Sequence, residues 1–207
     1  MIRHLKVWIL ASILAFFMGA GASASEATDV IDGFHENLLT AMQNSGTWGY
    51  TERRDYLAAP VANAFYSEVQ VRLASSVYWA NFSDAEKTEL TDAFYQFTLA
   101  NYASRFKGYN GQGFVTAGEE AMKRGRILVS TSLVKSSGEE VALNYVMMPN
   151  DNGQYRIVDV QFKGSVSELA LRRSEFGPIL RDQGFTGLVS LLKQKVEQLE
   201  ADAIPAN

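Results

Sequence analysis

The sequence predicts an α+β fold in a single domain, with helices before and after a block of antiparallel strands. Three observations support this prediction. Apolar residues recur with a helical period between residues 28 and 107. From Gly113 to residue 162 the period changes to two, which is typical of strands joined by hairpins. After Gly164 the helical period returns, and no internal repeat or linker divides the chain.

The first 24 residues have the three parts of a secretory signal peptide. Positive residues stand at its start, an almost unbroken apolar run covers residues 7–18, and small residues follow at Ala22 to Ala24. This run is shorter than the about 20 residues that a membrane span requires. An uncleaved anchor is the alternative, but no stop-transfer pattern follows the run. We therefore expect cleavage near Ala24 and export from the cytoplasm.

The remaining chain is expected to form one domain over residues 25–200, with a disordered tail at 201–207. It contains no cysteine, so an exported domain of this kind must be stable on its core alone. Removal of Arg3 and Lys6 leaves 17 basic against 23 acidic residues, a net charge of −6. This charge argues against binding to nucleic acid and against a polybasic grip on anionic membranes.

The longest helix before the strands has a clear start. Ser83 and Glu86 match the S-x-x-E capping box. The helix carries two apolar stripes where a surface helix needs one, so it is either buried on most sides or lines a cavity. Before the strands, the expected helices cover residues 28–44, begin near Thr51 and begin at Pro60. A short helical piece at 77–79 follows, and the long helix runs from Ser83 to about Lys107.

The middle of the chain predicts an antiparallel sheet of about four strands. Turn residues separate the alternating segments at 136–138 and 149–153. The first expected strand begins at Phe114, and the next three cover residues 127–133, 141–147 and 155–162. A helix capped by Ser167 follows, and Gly184 separates it from a last helix.

Few residues carry catalytic or metal-binding chemistry. After the leader, His35 is the one histidine, and no G-x-S-x-G motif accompanies it. One histidine without cysteine makes a structural zinc site very improbable, and no nucleotide-binding motif is present, so no catalytic residue, metal or cofactor is assigned. Asp159 falls within an apolar strand, where a buried carboxylate requires a partner. A structural ion pair or hydrogen bond is favoured over a catalytic acid.

An ordered set of short segments runs from about Asp29 to Leu199. The segments are Trp79 with Phe82–Glu86, the aromatic series Phe94, Phe97, Tyr102, Phe106 and Tyr109, then Tyr155–Val160, Gly164–Ser167, Arg173–Phe176, and Gly184–Phe185 before Leu188. In order and spacing this set resembles the MlaC family, the periplasmic auxiliary proteins of phospholipid ABC transporters, also called toluene-tolerance proteins. Residues 167–176 are most similar to the branch associated with hopanoid biosynthesis.

The resemblance implies helices wrapped on a curved antiparallel sheet, which together enclose an apolar pocket for lipid tails. It also implies a non-enzymatic carrier that moves a phospholipid, or a hopanoid-type lipid, between the membranes. The implied partners are an outer-membrane lipoprotein complex and an inner-membrane ABC transporter with its MCE-domain ring. A shuttle of this kind is expected to be monomeric.

A lipid cavity needs many apolar side chains, which the two-striped helix and the strand faces can supply. The same composition is also that of an ordinary core. The predicted lining residues are Phe94, Phe97, Tyr102, Phe106, Val129, Leu143, Tyr145, Val158, Val160 and Phe162. Two alternatives stay open: an exported small esterase or lipase-like enzyme that uses His35, and a protein adaptor that binds no lipid.

Overall fold

The structure, a computed structural model, describes residues 26–203. The predicted signal peptide at 1–24 and residues 204–207 of the predicted tail lie outside the described residues. The α+β prediction is confirmed. The elements are α1 (Glu26–Gln43), α2 (Tyr50–Ala64), α3 (Ser67–Ser75), a 3-10 helix (Ser76–Asn81), α4 (Asp84–Arg105), β1 (Gly113–Ala121), a 3-10 turn (Lys123–Gly125), β2 (Ile127–Val134), β3 (Glu140–Pro149), β4 (Tyr155–Phe162), β5 (Val166–Ser167) and α5 (Glu168–Ala203).

The strands form one antiparallel sheet in the order β1-β2-β3-β4-β5, and the sheet does not close. It has five strands where about four were expected, because β5 adds two residues that pair only with the end of β4. A bulge interrupts β1 between Thr116 and Gly118. A second register shift lies between β3 and β4, where Val146 pairs with Asp159 but Met147 pairs with Ile157.

The predicted start of α4 is confirmed. The Ser83 hydroxyl accepts a hydrogen bond from the Glu86 N–H at 3.3 Å, and the Glu86 carboxylate accepts one from the Ser83 N–H at 2.8 Å. Each side chain thus satisfies a backbone donor of the first turn. The helix ends at Arg105, two residues before the predicted end.

The prediction that Pro60 begins a helix is wrong. Pro60 lies inside α2, and the next helix begins only at Ser67, after an extended residue at Phe65. A proline inside a helix costs about 3 kcal/mol. Buried Leu57 and Val61 flank Pro60 in α2, and we infer that their packing in the core outweighs this cost.

The core has a small cluster of Val69, Val146 and Val158 and two larger clusters. One lies between α1, α2 and the inner face of the sheet and includes Ile31, Leu57 and Tyr145. The other lies among α3, α4 and α5. Gly184 breaks α5 with φ 66°, as its predicted position between two helices required. The second segment continues to Ala203, so residues 201–203 of the predicted tail are helical. No helix within residues 26–203 is long and apolar enough to cross a membrane.

Candidate functional site

A mostly apolar pocket lies between α4, strands β2 to β4 and the first turn of α5. Its volume is about 250 Å³. The floor comes from the sheet and one wall from α4, which contributes Phe94, Phe97 and Tyr102. The lining residues are Phe65, Gln70, Phe94, Phe97, Thr98, Asn101, Tyr102, Arg105, Phe106, Leu133, Val141, Leu143, Val160, Phe162, Glu168, Leu169 and Arg172.

The structure brings seven of the ten predicted lining residues to this pocket. They are Phe94, Phe97, Tyr102, Phe106, Leu143, Val160 and Phe162. Sequence reasoning missed Leu133 and Val141, although these two residues pair directly across β2 and β3. The strand alternation could have found both, because Leu133 has the parity of Val129 and Val141 has the parity of Leu143. Phe65 lies between α2 and α3, where its helical spacing with Val69 and Leu73 did not point to a pocket.

Val129 and Tyr145 lie elsewhere. Both are fully buried in the cluster beneath α1 and α2 and do not border the pocket. The ring of Tyr145 is held there by a 2.9 Å hydrogen bond between its hydroxyl and Nε2 of His35. Val129 and Tyr145 lie on the same inner face of the sheet as the pocket residues, but α1 and α2 cover them.

Val158 lies on the opposite face of the sheet, packed with Val69 and Val146. The register shift between β3 and β4 explains its position, since Tyr145 pairs with Val160 while Met147 pairs with Ile157. An extra residue in one strand reverses the faces beyond it. Strict alternation therefore placed Val158 with Val160, whereas Ile157 takes the inner position.

Three charged residues belong to the lining: Arg105 and Glu168 are exposed, whereas the side chain of Arg172 is only 14% exposed. Arg105 and Glu168 form an ion pair at 3.7 Å, and both side chains are exposed. The guanidinium of Arg172 lies 4.8 Å from the ring centre of Phe97 and bonds Glu175 at 3.1 Å. Burial alone would raise the pKa of Glu175, but hydrogen bonds from Lys195 and Arg172 lower that pKa overall.

The polar groups deeper in the lining differ in how they are satisfied. The Thr98 hydroxyl donates to the carbonyl of Phe94, and the Asn101 amide donates to the carbonyl of Phe97, each at 3.0 Å. Gln70 is different, because its Oε1 is buried without a hydrogen-bond partner. Within residues 26–203 no group of three or more side chains could hold a metal ion.

His35 is not arranged as a catalytic base. It is buried, stacked at 4.0 Å on Phe114, and it does not line the pocket. Its Nε2 bonds the Tyr145 hydroxyl, while its Nδ1 has no partner. Burial lowers the pKa of His35 to about 3. A serine nucleophile and an orienting carboxylate, which a hydrolase would place on these nitrogens, are not among its partners within the described chain.

Comparison with known proteins gives two findings. The family model of the MlaC protein matches residues 33–194, most of the chain. A phospholipid-binding protein from Ralstonia solanacearum, solved in complex with a phospholipid, has a similar fold with a TM-score of 0.71. The two chains are 18% identical over 84% of this chain and 99% of that one. The protein described here thus belongs to the MlaC family, whose members are periplasmic, non-enzymatic lipid carriers.

Proposed function

We propose that this protein is a periplasmic carrier that holds the acyl tails of a phospholipid in the pocket between α4 and the sheet. The observation that carries the proposal is the pocket itself, in which aromatic and aliphatic side chains dominate and two of the three charged residues, Arg105 and Glu168, are exposed. This distribution suits a ligand with apolar tails and a polar head. The tails would contact residues such as Phe94 and Val160, and the head group would lie near Arg105 and Glu168.

The energetics of lipid transfer support a lined pocket. Each methylene moved from an apolar environment into water costs about 0.8 kcal/mol, so a chain of about 15 methylenes faces roughly 12 kcal/mol on leaving a membrane unaided. An apolar pocket in a water-soluble protein removes most of this cost. A small number of polar groups in the lining favours binding of the tail, because each polar group that the tail covers needs a hydrogen-bond partner.

The pocket volume of about 250 Å³ is below the roughly 300–1,000 Å³ of common small-molecule sites. A two-chain lipid therefore requires α4 or the first turn of α5 to move away from the sheet. Phe162, at 42% exposed, marks the opening through which the tails would enter. The ion pair of Arg105 and Glu168 spans α4 and α5, so its two exposed side chains can separate at little cost.

The location and the partners follow from the family. The leader at residues 1–24 would export the chain and be cleaved near Ala24. The carrier would then receive lipid from, or deliver it to, an outer-membrane lipoprotein complex and an inner-membrane ABC transporter with an MCE-domain ring. A hopanoid-type lipid is a second cargo, supported by the similarity of residues 167–176 to the hopanoid-associated branch.

Native mass spectrometry of the exported, detergent-free protein tests the proposal, followed by organic extraction and identification of any bound molecule. We expect stoichiometric phospholipid, and a hopanoid in its place would name the other cargo. Apoprotein that also takes up no lipid from phospholipid vesicles would contradict the carrier proposal. That result would favour a protein adaptor with the same fold.

A further inference from the structure

Gln70 is a polar side chain in the buried part of the pocket. It is 7% exposed, and its chain neighbours Val69 and Val71 are also buried, whereas Glu68 and Arg72 form the solvent face of α3. Gln70 shares the pocket lining with Phe65 and Phe94, which are 5% and 4% exposed. Arg105, Glu168 and Phe162 are, by contrast, exposed members of the lining.

The Gln70 side chain does not have the structural role that other polar groups of the pocket have. Thr98 and Asn101 donate to carbonyls of α4, so their donors are satisfied within the protein. Of the four buried side-chain atoms without a partner in residues 26–203, Oε1 of Gln70 is the one whose residue lines the pocket. An unsatisfied buried acceptor is destabilising, which calls for a compensating role.

We propose that Gln70 hydrogen-bonds a hydroxyl group on the buried part of the bound lipid. A hydroxyl fits this position because it both donates and accepts, so it satisfies the amide whichever way the terminal bond of Gln70 is turned. A lipid whose hydrocarbon tails carry no hydroxyl group leaves Gln70 without a partner. The pocket therefore selects lipids that carry a hydroxyl on the part of the molecule that is buried beside Gln70. This inference rests on the proposed lipid-carrier function and names a chemical feature of its cargo.

A double comparison of ligand and protein tests the inference. The ligands are ω-hydroxy fatty acids and their unsubstituted parents, from decanoate to hexadecanoate, which place the hydroxyl at increasing depth. The protein variants are wild type and Gln70→Met, in which an unbranched apolar side chain of similar length replaces the amide. Dissociation constants are measured by calorimetry on delipidated protein.

We expect the ratio of the hydroxy-acid dissociation constant to the parent-acid dissociation constant to be about tenfold higher in Gln70→Met than in wild type, at one chain length or two neighbouring ones. The matched control is Gln43→Met, the same substitution at an exposed glutamine of α1 outside the pocket. The ratio in this control is expected to stay at the wild-type value.

Equal ratios in wild type and Gln70→Met at every chain length would overturn the inference, and Gln70 would then contact water or nothing. A change of ratio in Gln43→Met as large as that in Gln70→Met would also overturn it, because the change would then not arise in the pocket. These outcomes differ from failure of the proposed function, in which neither ligand of any pair, nor a phospholipid from vesicles, binds to the wild-type protein.

Discussion

The carboxylate of Asp159 in β4 accepts a hydrogen bond from the backbone N–H of Leu169 at 2.9 Å, in the first turn of α5. Its second oxygen accepts a hydrogen bond from the Ser167 hydroxyl at 2.7 Å, and that hydroxyl accepts one from the N–H of Ala170. A negative charge at a helix N-terminus is favourable. Since Leu169 borders the pocket, this contact joins the pocket floor to its α5 wall, and the structural role expected for Asp159 is confirmed.

Replacing Asp159 by alanine is expected to lower the free energy of unfolding by about 2–3 kcal/mol, because it leaves a buried N–H and a hydroxyl without their acceptor. Urea denaturation followed by circular dichroism measures the change. Asp151→Ala, in the exposed turn between β3 and β4, is the control and should change stability by less than about 0.5 kcal/mol. Equal effects of the two substitutions would contradict the role given to Asp159.

Filling the pocket is expected to reduce lipid loading without unfolding the protein. Leu143 borders the pocket and is only partly buried, so Leu143→Trp places a large ring in the open space. The amount of lipid extracted per protein should fall at least severalfold, while the thermal midpoint stays within a few degrees. Val115→Trp, on the exposed part of β1 outside the pocket, is the matched control. Undiminished loading in Leu143→Trp would place the ligand elsewhere.

The stability of the fold should depend on pH through His35. Burial lowers the pKa of His35 from 6.5 to about 3, so between these pH values the unfolded chain binds a proton that the folded chain does not. The His35 contribution is thus complete above pH 6.5 and is lost at about 1.4 kcal/mol per pH unit as the pH falls toward 3.

A double variant isolates this effect. His35→Phe combined with Tyr145→Phe removes both partners of the 2.9 Å hydrogen bond and leaves no orphaned hydroxyl. Its unfolding free energy, measured by denaturant titration, should fall less steeply below pH 6.5 than that of the wild type, by about the amount given above. Parallel pH profiles would show that His35 is not the titrating group.

Gln70→Met is expected to stabilise the lipid-free protein by about 1 kcal/mol, because it removes a buried acceptor that has no partner. The thermal midpoint of delipidated protein reports the change. Asn101→Leu is the contrasting variant, since its amide donates to the Phe97 carbonyl and its loss should not stabilise. A lower midpoint for Gln70→Met would mean that the amide has a partner in the folded protein.

The sequence was most informative where local chemistry decides the structure. The Ser83–Glu86 box is complete within four residues, and the break at Gly184 needs only the positive φ that glycine tolerates. Pro60 was misplaced because its effect depends on core contacts of α2 that lie far away in sequence. The spacing of apolar residues and the capping residues therefore indicated which helices and strands form, while tertiary packing decided where α2 ends.

The candidate pocket was predictable in part. The two stripes of α4 pointed to Phe94, Phe97, Tyr102 and Phe106, because a helix face is a matter of spacing. Val158 was assigned to the pocket because a bulge between strands leaves no signal in alternation. Gln70 was overlooked for a related reason: a glutamine on a short helix is usually exposed, and only the packing of three elements makes it buried.

The open sheet has consequences for how copies of the protein behave together. An unpaired strand edge can recruit a strand from another molecule. At one edge, β5 offers only two residues, which is too short a template. At the other, the bulge between Thr116 and Gly118 bends β1, and acidic residues such as Glu120 follow it. A closed barrel would have no edges, whereas this sheet stays open, and its short edge strand and its bulged edge strand are both poor templates for a further strand.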